Sequence, residues 1–334
     1  MAAEAIRVIQ YGVGPIGLKI TRYLQRKPAA HIVAAIDSDP QKIGLDIGEL
    51  AGLTEPLGVK VSGDATKVLG ETEAEIVVLT TTSTLQSIQP QITTIVSAGK
   101  NVVSSCEELV YPWYSRPELA QQIDDLARRH QVSVLSTGVN PGFLMDFLPL
   151  VMTGVCHDIK RIEVERIQNA QQRRIPFQKK IGAGLSVPEF QKKVRGGVLR
   201  HVGLMESMHL LAAGVGWRLE EAEESITPVI ASDEVVTAHF TVKPGMVVGV
   251  RQMASGRLGG AEVISLLFEA TVSQANPHDR IIIEGEPRIE LDIKKGVNGD
   301  IATCAIIVNS IPAVIRAAPG LRTMADVGLV ALWR

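Results

Sequence analysis

The sequence is poor in the features that mark several functional classes. Three cysteines, Cys106, Cys156 and Cys304, are scattered over 334 residues without a C-x-x-C pair, so neither a disulfide framework nor a zinc site is supported. The seven histidines form no H-E-x-x-H cluster, and no metal is expected. A formal net charge of −2 supplies no general attraction for nucleic acid or anionic membrane, so neither is expected as a partner. Apolar runs are short or interrupted by Gly, Pro and charge, which argues against a bilayer span. The first residues, Met1 to Arg7, lack the basic region and apolar core of a signal peptide, and a cytoplasmic location is the expectation.

What remains is ordinary globular composition, 46% hydrophobic and 21% charged, in a chain long enough for two domains. Its most informative stretch comes early. Ile6 to Tyr11 reads as a buried strand, followed by Gly12-Val13-Gly14-Pro15-Ile16-Gly17 and a helix continuing over Leu18 to Gln25. In a G-x-G-x-x-G turn of this kind the first glycine makes the tight turn, the second lets backbone approach a pyrophosphate, and the third packs helix on strand. The helix N-terminus then favours negative charge. A second apolar run, His31 to Ile36, ends at Asp37, where a carboxylate accepts hydrogen bonds from an adenine ribose. Asp37 and Asp39 disfavour a 2′-phosphate, so NAD(H) is expected over NADP(H), with Lys42 close enough to soften the preference.

The first half alternates β-branched runs with helical patterns, which predicts a doubly wound parallel sheet of the Rossmann type. Ile76 to Thr80 is a strand ending in the polar run Thr80-Thr81-Thr82-Ser83. A helix is expected from Ser83, with Gln86 completing a capping box, to about Gly99. Asn101 to Ser104 is the next strand, and a further helix starts at Ser115-Arg116-Pro117-Glu118 with a second apparent box. Val132 to Leu135 leads into Ser136 to Phe143. Because ligands of such sheets sit beyond the strands' carboxyl ends, these polar loops are expected to share one crevice.

The pattern changes near Leu150. Ile159 to Ile167 alternates as a strand, Leu199 to Leu211 reads as a helix, and strand-like runs follow at Val235 to Val242, Met246 to Gln252, Glu262 to Val272, Arg280 to Glu284 and Arg288 to Ile293. Strands without intervening helices predict a second, α+β domain on a mostly antiparallel sheet. Asp300 to Arg316 closes as a helix. The expected organisation is a dinucleotide-binding domain over 1–150, a substrate-binding and dimerisation domain over 151–310, and a segment 311–334 packing back on the first.

Chemistry is expected after the fifth strand, in Ser104-Ser105-Cys106-Glu107-Glu108-Leu109 with Tyr111-Pro112-Trp113. Adjacent carboxylates at the mouth of a nucleotide crevice are candidate general acids and bases; an idle, solvent-facing pair is the competing reading. Together with the glycine turn, with Gly138-Val139-Asn140-Pro141-Gly142-Phe143 and with Asn298-Gly299-Asp300-Ile301-Ala302-Thr303, this segment resembles the 2,4-diaminopentanoate dehydrogenase family. That family includes the native NAD(P)-dependent amine dehydrogenases and has a dihydrodipicolinate-reductase-like fold.

The resemblance implies a homodimeric oxidoreductase that interconverts a small amine and NAD(P)⁺ with a ketone or aldehyde, ammonia and NAD(P)H. It places a catalytic glutamate in the Cys-Glu-Glu segment, mapped here onto Glu108 with Glu107 as the alternative. Gly12, Gly14, Pro15, Ile16, Gly17, Asp37, Thr80, Thr81, Thr82, Ser104 and Asn140 are the expected cofactor contacts. Asn140, Phe143, Ile167, Phe177 and Thr303 are the expected substrate contacts. Asn140 before Pro141 also reads as a structural turn, Phe143 as core, and Thr303 as a helix hydroxyl. Ile167 to Lys180 with Gly182-Ala183-Gly184 is expected to bound the substrate side. The cluster Arg173, Arg174, Lys179 and Lys180 reads as a solvated face, or as the donor of an arginine to a substrate carboxylate, which would favour a diamino acid.

Rival readings are weaker. The His-His pair and Ser-Gly-Thr loop of dihydrodipicolinate reductase are missing, and so is the lysine of Glu-Lys-Pro sugar dehydrogenases. A semialdehyde dehydrogenase would recruit Cys106 as a nucleophile. An NAD(H)-sensing regulator would keep the glycines and lose the carboxylates.

Overall fold

The computed structural model describes residues 5–171 and 175–334, the side chain of Pro176 excepted. The chain forms two compact units, 1–143 with 298–334, and 144–297.

In the first unit the chain runs β1 (Ile6–Tyr11), α1 (Pro15–Leu24), β2 (Ala30–Ile36), α2 (Ile47–Leu50), β3 (Val61–Ser62), α3 (Ala65–Glu71), β4 (Ile76–Leu79), α4 (Leu85–Ser97), β5 (Asn101–Ser104), α5 (Pro117–Arg129) and β6 (Ser133–Ser136). A 3-10 turn, Glu107–Leu109, follows β5. The strands pair in parallel in the order β6-β5-β4-β1-β2-β3, with a C-terminal strand, Gly320–Arg322, beyond β6. Both faces are covered, which is why β4 and β6 are buried at every position. The order reverses between β1 and β4, the switch point where open sheets of this kind leave a crevice.

The second unit contains α6 (Phe147–Thr153), β7 (Asp158–Asn169), α7 (Ile175–Lys180), α8 (Val187–Arg195), α9 (Leu204–Gly214), β8 (Glu221–Ile230), β9 (Val235–Val236), β10 (Thr241–Val242), β11 (Val247–Leu258), β12 (Ala261–Thr271), β13 (His278–Glu286) and β14 (Ile289–Lys294). Its six-stranded sheet has the order β14-β13-β7-β12-β11-β8. Only β7 and β12 pair in parallel; the other neighbours are antiparallel. One face packs Ile162, Val164, Ile264, Leu266, Phe268 and Ile281 into the core. On the other, Arg251 pairs with Glu269 at 2.6 Å and Arg161 with Glu262 at 2.7 Å, beside a 43% exposed Met253. Arg166 and Asp279, both buried, form an ion pair at 2.7 Å. They hold the last residue of the unit, Val297, whose carbonyl accepts from Arg166 and whose N–H donates to Asp279.

The chain then returns to the first unit as α10 (Gly299–Arg316) and β15 (Gly320–Arg322). The boundary therefore lies at 297/298, not 310/311. The whole helix packs on α1, β4, β5 and β6 and buries Cys304, Ile307, Val308, Ile311 and Val314. At 18 residues and mean hydropathy 1.3 it is long and apolar enough, by length and composition alone, to cross a membrane. Pro312 lies inside it, Asp300 and Arg316 lie near its two ends, and it packs on the first unit's sheet.

Several local expectations also shift. Helix α4 starts at Leu85 with Thr84 as N-cap and without a side-chain cap of its own, so the Ser83–Gln86 box does not form. Helix α5 has Arg116 at its N-cap position with no side-chain cap, so the expected Ser115 box does not form, although Pro117 does open the helix. Val235 to Val242 is not one strand but the hairpin β9-β10, closed by Thr237 Oγ1 donating to the Phe240 carbonyl. Helix α9 begins at Leu204, after Gly203 at φ +107°. Helix α8 carries a complete capping box, Ser186 with Glu189, that the sequence reading passed over. Strand β15 is held by the Asp124 carboxylate of α5, which accepts the Leu321 N–H at 2.8 Å.

Candidate functional site

The glycine turn joins β1 to α1. Gly12 has φ +95°, and a Cβ there would lie 2.6 Å from the Thr80 carbonyl oxygen. A Cβ at Gly17 would lie 1.9 Å from the Gly12 carbonyl oxygen. Around Gly14, by contrast, a Cβ would meet no atom within 4 Å. The three glycines thus divide their work as turn, open approach and close packing, which suits a pyrophosphate lying over Gly14. Gly14 is also the N-cap of α1 and offers no side-chain cap. Pro15 opens the helix without an N–H, and the Ile16 and Gly17 N–H groups lie in the first turn, which has no intrahelical acceptor.

Asp37 stands at the end of β2, its side chain 13% exposed. Its carboxylate accepts from the Val13 N–H at 2.6 Å and from the Asp39 N–H at 2.9 Å. It therefore supports the glycine turn. Lys42 approaches Asp37 at 3.6 Å and Asp39 at 3.2 Å. Backbone bonding to Gln41 and then this lysine hold the Asp39 carboxyl below its ordinary value.

The polar ends of β4 and β5 take different parts. Thr80 Oγ1 donates to the Gly12 carbonyl at 2.9 Å and accepts from Gln10 Nε2 at 3.0 Å. Thr81 donates to Gln91 on α4, and Thr82 accepts from the Thr84 N–H. Ser104 is fully buried; its hydroxyl donates to the Leu79 carbonyl and accepts the Cys106 N–H. The expectation that Ser104 touches cofactor is corrected: its hydroxyl is committed to holding strand ends together. Ser136 Oγ adds bonds to the Ser104 and Cys106 carbonyls.

The two carboxylates sit on the 3-10 turn just past β5, both half-buried. Glu108 reaches back to the start of α4, where Oε2 accepts the Leu85 N–H at 2.8 Å, while its own N–H donates to the Ser83 carbonyl. It caps the helix from a distance of 23 residues, while the Thr84 hydroxyl donates to Ser87 Oγ at 2.8 Å. The Glu107 carboxylate makes no hydrogen bond to the described residues. Cys106 beside them is wholly buried, and that burial pushes its thiol well above the ordinary range. A thiol in that state is a poor nucleophile.

The loop after β6 closes the arrangement. Val139 N–H donates to Thr303 Oγ1 of α10 at 3.2 Å. Gly142, at φ +116°, lies so close to Gly138 that a Cβ would sit 2.5 Å from its nitrogen. Asn140 is buried and Phe143 half-buried in this loop. Cys304, next to Thr303, places its sulfur 3.9 Å from the Ile16 carbonyl. One side of α10 therefore meets both the Asn140 loop and the first turn of α1.

Ile167 and Phe177 belong to the second unit. Ile167 is 8% exposed on β7, and Phe177 is half-buried on α7. A cavity of about 580 Å³ in this unit is lined by Ile175, Lys179, Gly184, Lys193, His239 and Phe240, among others. Of the expected basic cluster, Lys179 and Lys180 are exposed; Arg173 and Arg174 lie outside the described residues. Among the described residues no group of three or more metal-ligating side chains occurs. The residue that the sequence reading missed is Gln10, a glutamine in an apolar strand, fully buried beneath the glycine turn.

Comparison with known proteins agrees with this geometry. Residues 143–333 match the 2,4-diaminopentanoate dehydrogenase C-terminal domain, and residues 6–106 match the dihydrodipicolinate reductase N-terminus. The chain is 33% identical to a 2,4-diaminopentanoate dehydrogenase of Acetoanaerobium sticklandii, over 97% of this chain and 93% of the relative. It is 25% identical to an amine dehydrogenase of Streptomyces virginiae, over 97% and 96%. A solved amine dehydrogenase structure from Mycobacterium smegmatis superimposes with a TM-score of 0.87 at 28% identity, covering 98% of both chains. With both of its halves accounted for, the chain belongs to the 2,4-diaminopentanoate dehydrogenase family.

Proposed function

We propose that the protein is a nicotinamide-dependent amine dehydrogenase, which oxidatively deaminates a small amine to a ketone or aldehyde and ammonia, and reductively aminates in reverse. The observation that carries the reading is a carboxylate pair just past β5, in the same unit as a glycine turn whose open Gly14 fits a pyrophosphate. The names of the family relatives agree with it.

The dinucleotide, when bound, supplies the hydride acceptor or donor. The Gly14 backbone and first turn of α1 hold its pyrophosphate, and Asp37 its adenosine ribose. Thr81, Thr82, Asn140 and Phe143 are assigned to the nicotinamide and substrate surroundings, with Thr303 supporting the Asn140 loop through Val139. Ile167 and Phe177 are assigned to the substrate side of the second unit.

Glu108 is assigned as the acid and base. An amine carbon releases hydride only when nitrogen carries a free lone pair, so the substrate ammonium must first lose a proton. A neighbouring carboxylate attracts the cation, takes that proton and releases it to solvent; ionised again, it deprotonates the water that attacks the iminium, passes that proton to the departing ammonia nitrogen, and takes the hydroxyl proton as the carbonyl forms. Positioned catalysis of this type contributes about 10²–10⁴-fold. The Leu85 N–H orients the carboxylate for this work. Glu107, unengaged by the described residues, is the alternative.

NAD(H) is the preferred cofactor, because a carboxylate at the end of β2, where the adenosine ribose of a dinucleotide would lie, would repel a 2′-phosphate. NADP(H) remains usable through Lys42. The protein is assigned as a homodimer.

The test is oxidation of NADH and, in parallel, NADPH by purified protein with a panel of small ketones and aldehydes, each with and without ammonium. Oxidation that requires both carbonyl and ammonium is the expected result. Oxidation without ammonium would make it an alcohol-type dehydrogenase; binding without turnover of any pair would favour the NAD(H) sensor.

A further inference from the structure

Gln10 is an unusual occupant of the middle of a Rossmann sheet. It lies on β1, fully buried, two residues before the glycine turn. Its Nε2 donates to the Gly12 carbonyl at 3.0 Å and to Thr80 Oγ1 at 3.0 Å, with the Val78 carbonyl at 3.4 Å. Its Oε1, equally buried, has no partner among the described residues. A stranded carbonyl destabilises a fold, and methionine would fill similar volume without one. The amide is explained by what its N–H groups do.

Both Gln10 and Thr80 aim their donors at one atom, the Gly12 carbonyl oxygen. That oxygen lies against Gly17, close enough that a Cβ there would be 1.9 Å away. A carbonyl so near the first turn of α1 is a competing acceptor for the N–H groups that must stay open to an anion. Saturating it from below removes the competitor and fixes the turn. We infer that Gln10 is a positioning residue for dinucleotide binding, holding the Gly12 carbonyl away from the first-turn N–H groups so that they receive the pyrophosphate.

The inference rests on the nicotinamide reading of the site, and the experiment separates the two. Binding of NADH, ADP-ribose and adenosine is measured by calorimetry for the wild-type protein and for Gln10→Met, together with the melting temperature of each without ligand. Gln10→Met is expected to melt no lower than the wild type, since it removes the stranded Oε1. ADP-ribose and NADH should bind about tenfold more weakly, the loss of one hydrogen bond's influence, while adenosine, which lacks the pyrophosphate, keeps its affinity. Unchanged ADP-ribose affinity would overturn the inference, as would a parallel loss for all three ligands with a lowered melting temperature, which marks a merely structural residue. A wild-type protein that binds neither NADH nor ADP-ribose would overturn the nicotinamide reading itself. Should Gln10→Met fail to fold, Thr80→Val removes the other donor to the same oxygen with little change of shape, and the same split between ADP-ribose and adenosine is expected; its absence overturns the inference equally.

Discussion

At the scale of single residues, the two glutamates are separable because their surroundings differ. Gln at position 108 still offers a carbonyl oxygen to the Leu85 N–H, so Glu108→Gln should fold with a melting temperature close to the wild type. Its amination rate should nevertheless fall about 10²–10⁴-fold, with NADH affinity little changed. Glu107→Gln should retain most activity, and steady-state rates for the pair decide which carboxylate moves protons. Glu108→Ala removes the acceptor as well and should cost about 1 kcal/mol of stability as a lost helix cap, read by urea denaturation. Asp37 carries a second prediction. Asp37→Asn keeps an acceptor for Val13 but loses the charge, so the preference for NADH over NADPH should narrow by about tenfold, the scale of a charged hydrogen bond. Lys42→Ala should move the same ratio the other way, since it removes the cation paired with Asp37 and Asp39.

At the scale of elements, what was legible in the sequence was what neighbours in the chain determine. The cap of α10 is local: Asn298 accepts the Ile301 N–H three residues on, and the helix starts within a residue of where its pattern says. The cap of α4 is not local, because Glu108 reaches Leu85 across β5, and no spacing rule in the sequence announces it. The segment before α9 shows the same dependence on tertiary contact. His201 stacks on Phe268 of β12 with ring centroids 4.2 Å apart, and its backbone bonds to the Gln252 side chain of β11. Burial, aided by Lys180 and Arg166, pushes its imidazole from 6.5 down to about 3. Since the folded value lies below the unfolded one, the unfolded chain binds the extra proton between these limits. Stability therefore falls as pH drops below 6.5 towards about 3, by at most about 1.4 kcal/mol per pH unit. His201→Gln should flatten that slope in urea melts between about pH 7 and about pH 4.

At the scale of the whole molecule, the mostly antiparallel sheet of the second unit offers a solvent face of paired charges around Met253, Leu267 and Ile282. We propose this face for the contact between copies in the proposed homodimer. Met253→Arg places an unpaired charge in the middle of it, beside Arg251, and sedimentation should show a shift from dimer to monomer; an unaffected dimer would move the interface elsewhere, and a wild-type monomer would overturn the homodimer itself. The division into units was only partly legible. A change of pattern near residue 150 reflects the switch from alternating strands and helices to consecutive strands. The return at Asn298 leaves no such mark, because an apolar helical pattern reads alike in either unit and the partners of α10, α1 and β4 to β6, lie far earlier in the chain.

The sequence by itself determined the glycine turn, the carboxylate that ends β2, the doubly wound parallel class of the first sheet and, by resemblance, the family. The first two rest on local backbone geometry, where a glycine without Cβ or a residue at a strand end has few alternatives; the sheet class rests on the alternation of strand and helix patterns, and the family on motifs spread from the first strand to the last helix. Only the tertiary structure decided that Ser104 is spent on the scaffold, that Glu108 caps α4, that the whole of α10 belongs to the first unit and that Gln10 holds the Gly12 carbonyl. Those outcomes depend on which polar groups burial brings within hydrogen-bond reach, and chain order does not specify that reach.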